Sequence, residues 1–152
     1  MHQATKLPLG LYIMVDRVSE KTRSYIMSRV RQKNTGPELI ARGILHRMGY
    51  RYRLHSPDLP GSPDIVFKKR RKVIFVHGCF WHGHECRYGK LPKSKNEYWV
   101  QKIDRNKARD KETVLNLQKL GWRSLIVWQC ELKNIETLQK RLVKFLGSTS
   151  VG

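Results

Sequence analysis

Ten consecutive residues, His77-Gly78-Cys79-Phe80-Trp81-His82-Gly83-His84-Glu85-Cys86, hold three of the chain's six histidines and two of its three cysteines. Thiolates and imidazoles are the donors that zinc prefers, and an imidazole also takes up and returns protons near pH 7. Cys79, His84 and Cys86 stand in a C-x4-H-x-C spacing, and Cys130 follows the apolar run Trp122 to Trp128. Together they make a Cys3His set, the composition of a closed tetrahedral Zn2+ site that would pin a short polar loop. The set closes only if the strand beginning at Trp122 lies beside the one ending at His77. Spacing leaves two alternatives open: His82 in place of His84 as the fourth ligand, or three cysteines packed as small hydrophobes without metal.

A second group is acidic. Two Ser-Pro-Asp tripeptides end in Asp58 and Asp64, and only Asp64 runs directly into an apolar stretch, Ile65-Val66-Phe67. Its carboxylate is thus predicted at the mouth of a buried strand, a hard oxygen donor suited to Mg2+. The next strand-like run ends at His77, so a magnesium-binding carboxylate and proton-transferring histidines would sit together, enough for phosphodiester hydrolysis. Taken singly, Asp64 as a turn cap and His77 as a satisfied strand-end histidine are the plainer readings. Asp110 adds a third acid. On a helix turning 100° per residue it falls within about 20° of Ile103, on the stripe of Trp99, Ile103, Val114 and Leu117. A carboxylate on an inward stripe needs a partner, and His77 is the expected one, unless Asp110 simply lies at an exposed helix edge. Phe80 and Trp81, set between ligands in a loop too constrained to bury both, are candidates for wedging between base steps.

The elements that must position these groups follow from periodicity. Ser19 to Arg31 reads as a surface helix. Thr35-Gly36-Pro37-Glu38 opens a second, with Pro37 in the first turn, Glu38 at the positive end of the dipole and Gly49 at its end. Leu39, Ile40, Ile44, Leu45 and Met48 are its expected buried stripe. Tyr50 to Leu54, Asp64 to Phe67 and Val73 to His77 read as strands, with a connection at His55 to Pro63 and a basic turn at Lys68 to Lys72. A long helix spans about Asn96 to Leu120, a buried-looking strand Trp122 to Trp128, and an amphipathic helix carries Ile135, Leu138, Leu142 and Leu146. The order α-α-β-β-β-α-β-α predicts an α/β fold, a mixed sheet with helices on its faces.

At 152 residues this is one ordinary domain, and 31 Lys and Arg against 12 Asp and Glu give a formal charge of +19. The excess is spread along the chain rather than gathered in a tail, which favours a polyanionic partner. A generally basic protein without chemistry fits the charge as well; no apolar run reaches the roughly 20 residues of a membrane span. Leu7 to Val15 is short and lacks a cleavage site, so it is not read as a signal peptide. An odd cysteine count argues for a reducing, cytoplasmic setting. Residues 1–15 are read as a disordered extension, 16–147 as the domain and 148–152 as a tail.

From about Asp16 to Gly147 the chain resembles the very short patch repair (Vsr) endonucleases, DNA mismatch enzymes of bacteria. The resemblance is carried by Val73-Ile74-Phe75-Val76-His77-Gly78-Cys79-Phe80-Trp81-His82, by Pro60 to Asp64, and by Leu125-Ile126-Val127-Trp128-Gln129-Cys130. It implies a restriction-endonuclease-like core and Mg2+-dependent nicking 5′ to the thymine of a T·G mismatch left by 5-methylcytosine deamination. It also implies a functional pairing with a cytosine-5 DNA methyltransferase, a nucleoid-associated location and a monomer. On this chain Asp64 and the Val76 carbonyl would bind Mg2+, and His82 would activate or orient water. His77 would assist at the phosphate, Asp110 would orient a histidine, and Glu38 would complete the acidic side. Cys79, His84, Cys86 and Cys130 match zinc ligands; Phe80, Trp81, Trp99 and Met27 match intercalating residues. Val76 stands where the family commonly has threonine, and Gly83 and Glu85 thin its histidine run. A nuclease needing no mismatch and a zinc-stabilised DNA-binding protein without catalysis are the competing readings.

Overall fold

The computed structural model describes residues 19–30, 33–91, 93 and 96–149. The extension expected over residues 1–15 and the last three residues of the expected tail lie outside them. Helix α1 spans Glu20–Ser28 and α2 Gly36–Arg47; strands β1, β2 and β3 span Arg53–Leu54, Ile65–Phe67 and Lys72–His77. Helix α3 (Asn96–Lys119), β4 (Arg123–Trp128) and α4 (Ile135–Leu146) complete the order read from the sequence.

Local chemistry sets the boundaries. The hydroxyls of Ser19 and Thr35 accept from the amides of Thr22 and Glu38, capping α1 and α2. Gly121, with φ 80°, follows the last turn of α3 and reverses the chain into β4.

The strands form one sheet in the order β1-β2-β3-β4. β1 with β2 and β2 with β3 pair antiparallel, whereas β3 and β4 run parallel, joined by α3 as a crossover. Alternation along β2 and β3 then builds two cores. Ile65, Phe67, Ile74 and Val76 pack with Ala41, Ile44 and Leu45 of α2 and Leu138, Leu142 and Leu146 of α4. Val66, Val73 and Phe75 face Leu117 of α3 on the opposite side. Helices on both faces explain why β2 and β3 read as unbroken apolar runs.

Two expectations change. Leu39 and Ile40 are 52% and 39% exposed, while Glu38, Ala41, Ile44 and Leu45 are buried. The inward stripe of α2 is phased on Glu38 and Ala41, so its neighbours at 39 and 40 turn to solvent. β4 is mostly half-buried, with only Val127 enclosed, because it is a sheet edge.

Leu138 is enclosed in the larger core, so Leu138→Ala is expected to lower stability by about 2 to 5 kcal/mol in urea denaturation. Exposed Leu120→Ala should change it by no more than about 0.5 kcal/mol, and equal losses would contradict this layering.

Candidate active site and metal centre

The parallel register sets His77 opposite Trp128 at the ends of β3 and β4. Cys79 and Cys130 each lie two residues beyond that pair, so they leave the sheet side by side. One donor atom each from Cys79, His84, Cys86 and Cys130 lies within 4.8 Å of all the others, with Cys130 Sγ 3.5 Å from His84 Nδ1. Three thiols and one imidazole at this separation fit a tetrahedral Zn2+ after small rotations. His84 therefore joins the thiols, and His82 points elsewhere.

The loop is wound tightly enough to present these groups. His82, Gly83 and His84 donate their amides to Gly78, Phe80 and Cys79. A Cβ on Gly89 would overlap the His84 carbonyl, so only glycine lets the segment after Cys86 return so close. Burial pushes the Cys79 thiol up to about 12. Burial also raises Cys86, but hydrogen bonds from His84 and from the Tyr88 and Gly89 amides outweigh it and bring that thiol down to about 7. Cys130 is raised, chiefly by burial. A cation among them would draw all three towards thiolate.

Beside this cluster stands a histidine pair. The rings of His77 and His82 stack at 3.7 Å with 9° between planes. His82 Nδ1 lies 2.6 Å from Asp110 Oδ2, whereas His77 Nδ1 is 3.9 Å from the same oxygen and has no hydrogen-bond partner among the described residues. The Asp110 partner is thus His82, a correction to the expected His77. β3 holds His77 in the sheet, while the loop carries His82 outward over α3. An ionised carboxylate only accepts, so Nδ1 of His82 is the protonated nitrogen and Nε2 keeps its lone pair. Burial, reinforced by His82 and opposed by Asp110, pulls His77 down to about 4. The pair opens onto a cleft of 370 Å³ whose lining includes Lys107, His84 and Trp128.

A third cluster forms where β1, β2 and α2 meet. Donor atoms of Glu38, His55 and Asp64 lie within 4.8 Å of one another. Asp64 Oδ2 accepts from the Val76 amide at 2.7 Å, tying the acid to β3 one residue before His77. Burial raises Asp64 to about 7; the Val76 amide opposes, Glu38 adds to the rise and Arg42 opposes it. Glu38 is only 2% exposed, with Oε2 3.0 Å from Arg42 Nη2 and accepting from the Asn34 amide.

Among the aromatic residues Phe80 is more enclosed than its place in the loop predicts, whereas Trp99 keeps the inward stripe read for the long helix. Phe80 is 5% exposed and Trp99 fully enclosed, in one cluster with Ile103 and with partly buried Trp81, Met27, Ile26 and Tyr98. Phe80 lies 5.0 Å from Trp81 and 5.3 Å from Trp99 in edge-to-face contacts. The loop buries Phe80 because α1 and the first turns of α3 close over it. Asn106 of α3 donates to the Trp81 carbonyl at 2.7 Å and anchors the same loop.

His55, Arg42, Asn106 and Trp128 were not identified from sequence. For His55 a signal existed: pairing Leu54 with Ile65 carries His55 to a place opposite Asp64. Trp128 stacks on His84 at 4.2 Å and meets His77 edge-on at 5.4 Å, a contact that no local pattern announces.

Residues 15–88 match the family described as DNA mismatch endonuclease Vsr. A type II nicking enzyme, V.XorIIP, of Xanthomonas oryzae pv. oryzae is 56% identical over 88% of this chain and 98% of its own. The DNA mismatch endonuclease Vsr of Escherichia coli K12 is 42% identical over 82% of this chain and 80% of its own. The type II nicking enzyme V.NmeAIP of Neisseria meningitidis is 41% identical over 85% and 92%.

Cys130→Ser is expected to lose bound zinc and several kcal/mol of stability, because a four-ligand site loses an anchor. Zinc content equal to the parent's would remove Cys130 from the set.

Titration gives a second expectation. Asp64 ionises near 3.8 when unfolded but near 7 when folded, so its contribution to stability is lost as pH rises across that window. His77 protonates near 6.5 unfolded but resists to about 4 folded, so its contribution is lost as pH falls from 6.5 to 4. The slopes oppose, and Asp64→Asn removes only the first. Without added divalent cation, the variant should therefore gain on the parent by a few kcal/mol between about pH 4 and 7. A difference constant with pH, followed by urea denaturation, would mean that Asp64 titrates normally.

Proposed function

Because the chain belongs to the DNA mismatch endonuclease Vsr family and is a DNA endonuclease, we propose that it nicks one strand 5′ to the thymine of a T·G mismatch. The reaction is hydrolysis of one phosphodiester bond, dependent on Mg2+. The mismatch arises when 5-methylcytosine deaminates, which couples the enzyme functionally to a cytosine-5 methyltransferase of the same recognition sequence. Nicking in the Xanthomonas oryzae relative's name supports single-strand cleavage here.

The observation that carries this reading is the 2.6 Å contact between His82 Nδ1 and Asp110 beside the stacked His77. Asp110 fixes the ring and stabilises its protonated form, so Nε2 of His82 can take a proton from attacking water. His77, kept neutral by burial, assists at the phosphate. Asp64 and Glu38, whose carboxylates lie together, would form the acidic side, with chemistry suited to Mg2+, and the Val76 carbonyl would be a further donor. A cation held there would act as a Lewis acid on the scissile phosphate. The Asp64–Val76 hydrogen bond supports this arrangement, since it joins the acid to the strand bearing His77 in the manner of a restriction-endonuclease-like core.

Zn2+ on Cys79, His84, Cys86 and Cys130 would be structural, holding the loop that carries His82. Trp81 and Met27, half-buried in the aromatic cluster, would press beside the mismatch, with Phe80 and Trp99 as the support behind them that stacks on bases if α1 yields. The charge of +19 supplies the phosphate attraction.

Duplexes with a T·G mismatch in randomised flanks, matched controls and Mg2+ test the proposal. A single nick 5′ to the mismatched thymine is expected, absent with Asp64→Ala. His82→Ala should keep DNA binding and lose roughly 100-fold or more in rate. Equal cutting of matched DNA would indicate a nuclease that ignores mismatches. Binding without cutting under any divalent cation would overturn the enzymatic assignment of these residues.

A further inference from the structure

Resting on the reading of Asp64 as a divalent-cation ligand, we infer that His55 is a further donor to that cation, through Nε2. The sheet brings it there. Antiparallel pairing of Arg53 with Val66 and Leu54 with Ile65 continues in the hydrogen bond from the His55 amide to the Asp64 carbonyl at 3.3 Å. His55 and Asp64 thus enter the site from adjacent strands, and Glu38 enters from α2.

The tautomer follows from the neighbour. His55 Nε2 lies 2.9 Å from Arg42 Nη2. A guanidinium donates only, so Nε2 must accept: its lone pair is directed at Arg42 Nη2, the place a cation would take, and the ring proton is on Nδ1. Glu38 Oε2 lies 3.7 Å from the same nitrogen and 3.0 Å from Arg42 Nη2. One positive nitrogen therefore bridges the imidazole and the carboxylate, as a bound cation would. The Arg42 Nε has no hydrogen-bond partner among the described residues, so the guanidinium is not braced on that side against displacement.

Donor atoms of Glu38, His55 and Asp64 within 4.8 Å can converge on one ion with bonds near 2.1 Å after shifts of a few tenths of an ångström. An imidazole among carboxylates favours first-row transition ions over Mg2+, which prefers oxygen. The site should therefore hold Mn2+ more tightly than an all-oxygen site would, through this one nitrogen.

Mn2+ alone, added to the full chain without DNA, is the probe. Pulsed electron paramagnetic resonance should show modulation from a directly bound nitrogen. His55→Gln should abolish it and weaken Mn2+ binding roughly tenfold or more, with a smaller change for Mg2+ in competition. His55→Asn replaces it if the glutamine variant loses its native circular dichroism. Mn2+ bound by the parent and lost in Asp64→Ala, yet without nitrogen modulation, would overturn the His55 assignment and leave the Asp64 site standing. Modulation persisting in His55→Gln would likewise assign the nitrogen to another histidine. No Mn2+ binding, or binding indifferent to Asp64→Ala, would overturn the Asp64 reading and this inference with it.

Discussion

Parallel pairing of β3 with β4, in the register that sets His77 opposite Trp128, is the constraint on which the site depends. Two residues past that pair the chain presents Cys79 on one side and Cys130 on the other. A slip of one residue would turn His77 to the opposite face and separate the thiols. The register is held from both faces: Ile74, Val76 and Val127 are locked under α2 and α4, and Val73 and Phe75 under α3. The large core thus does its functional work at a distance, by fixing where two strands end.

Helix α3 supplies the second support. Ile103, Asn106 and Asp110 recur at helical spacing along one side and meet successive parts of the loop. They pack on Phe80, donate to the Trp81 carbonyl and hold His82. A Cβ on Gly83 would overlap Lys107 and approach Ile103 to 2.7 Å, so glycine there lets the loop lie close enough for these contacts.

Electrostatically the two halves of the site mirror one another. Burial holds Asp64 protonated to about pH 7 and His77 unprotonated to about pH 4, so both are kept neutral in a dry environment. A cation at Asp64 would release that proton and supply the charge that burial otherwise forbids. Val76 and His77, adjacent in β3, link the halves: one binds Asp64 through its amide and the other stacks on His82. Val76 makes this contact through its backbone, so a valine serves at the position.

The sequence by itself determined the order of elements and the Cys3His composition, and it singled out Asp64, His77, His82 and Asp110 as groups that could do chemistry. Periodicity, turn residues and ligand chemistry are local properties, readable within short windows. Tertiary structure alone decided which histidine pairs with Asp110, that Glu38 faces inward and that Leu39 and Ile40 do not. It also buried Phe80 under α1 and brought His55 and Arg42 to Asp64. Each of these depends on the phase of a helix against a sheet or on a strand register. Those are set by the collective packing of residues far apart in the chain, where a one-residue shift costs little locally and changes every contact.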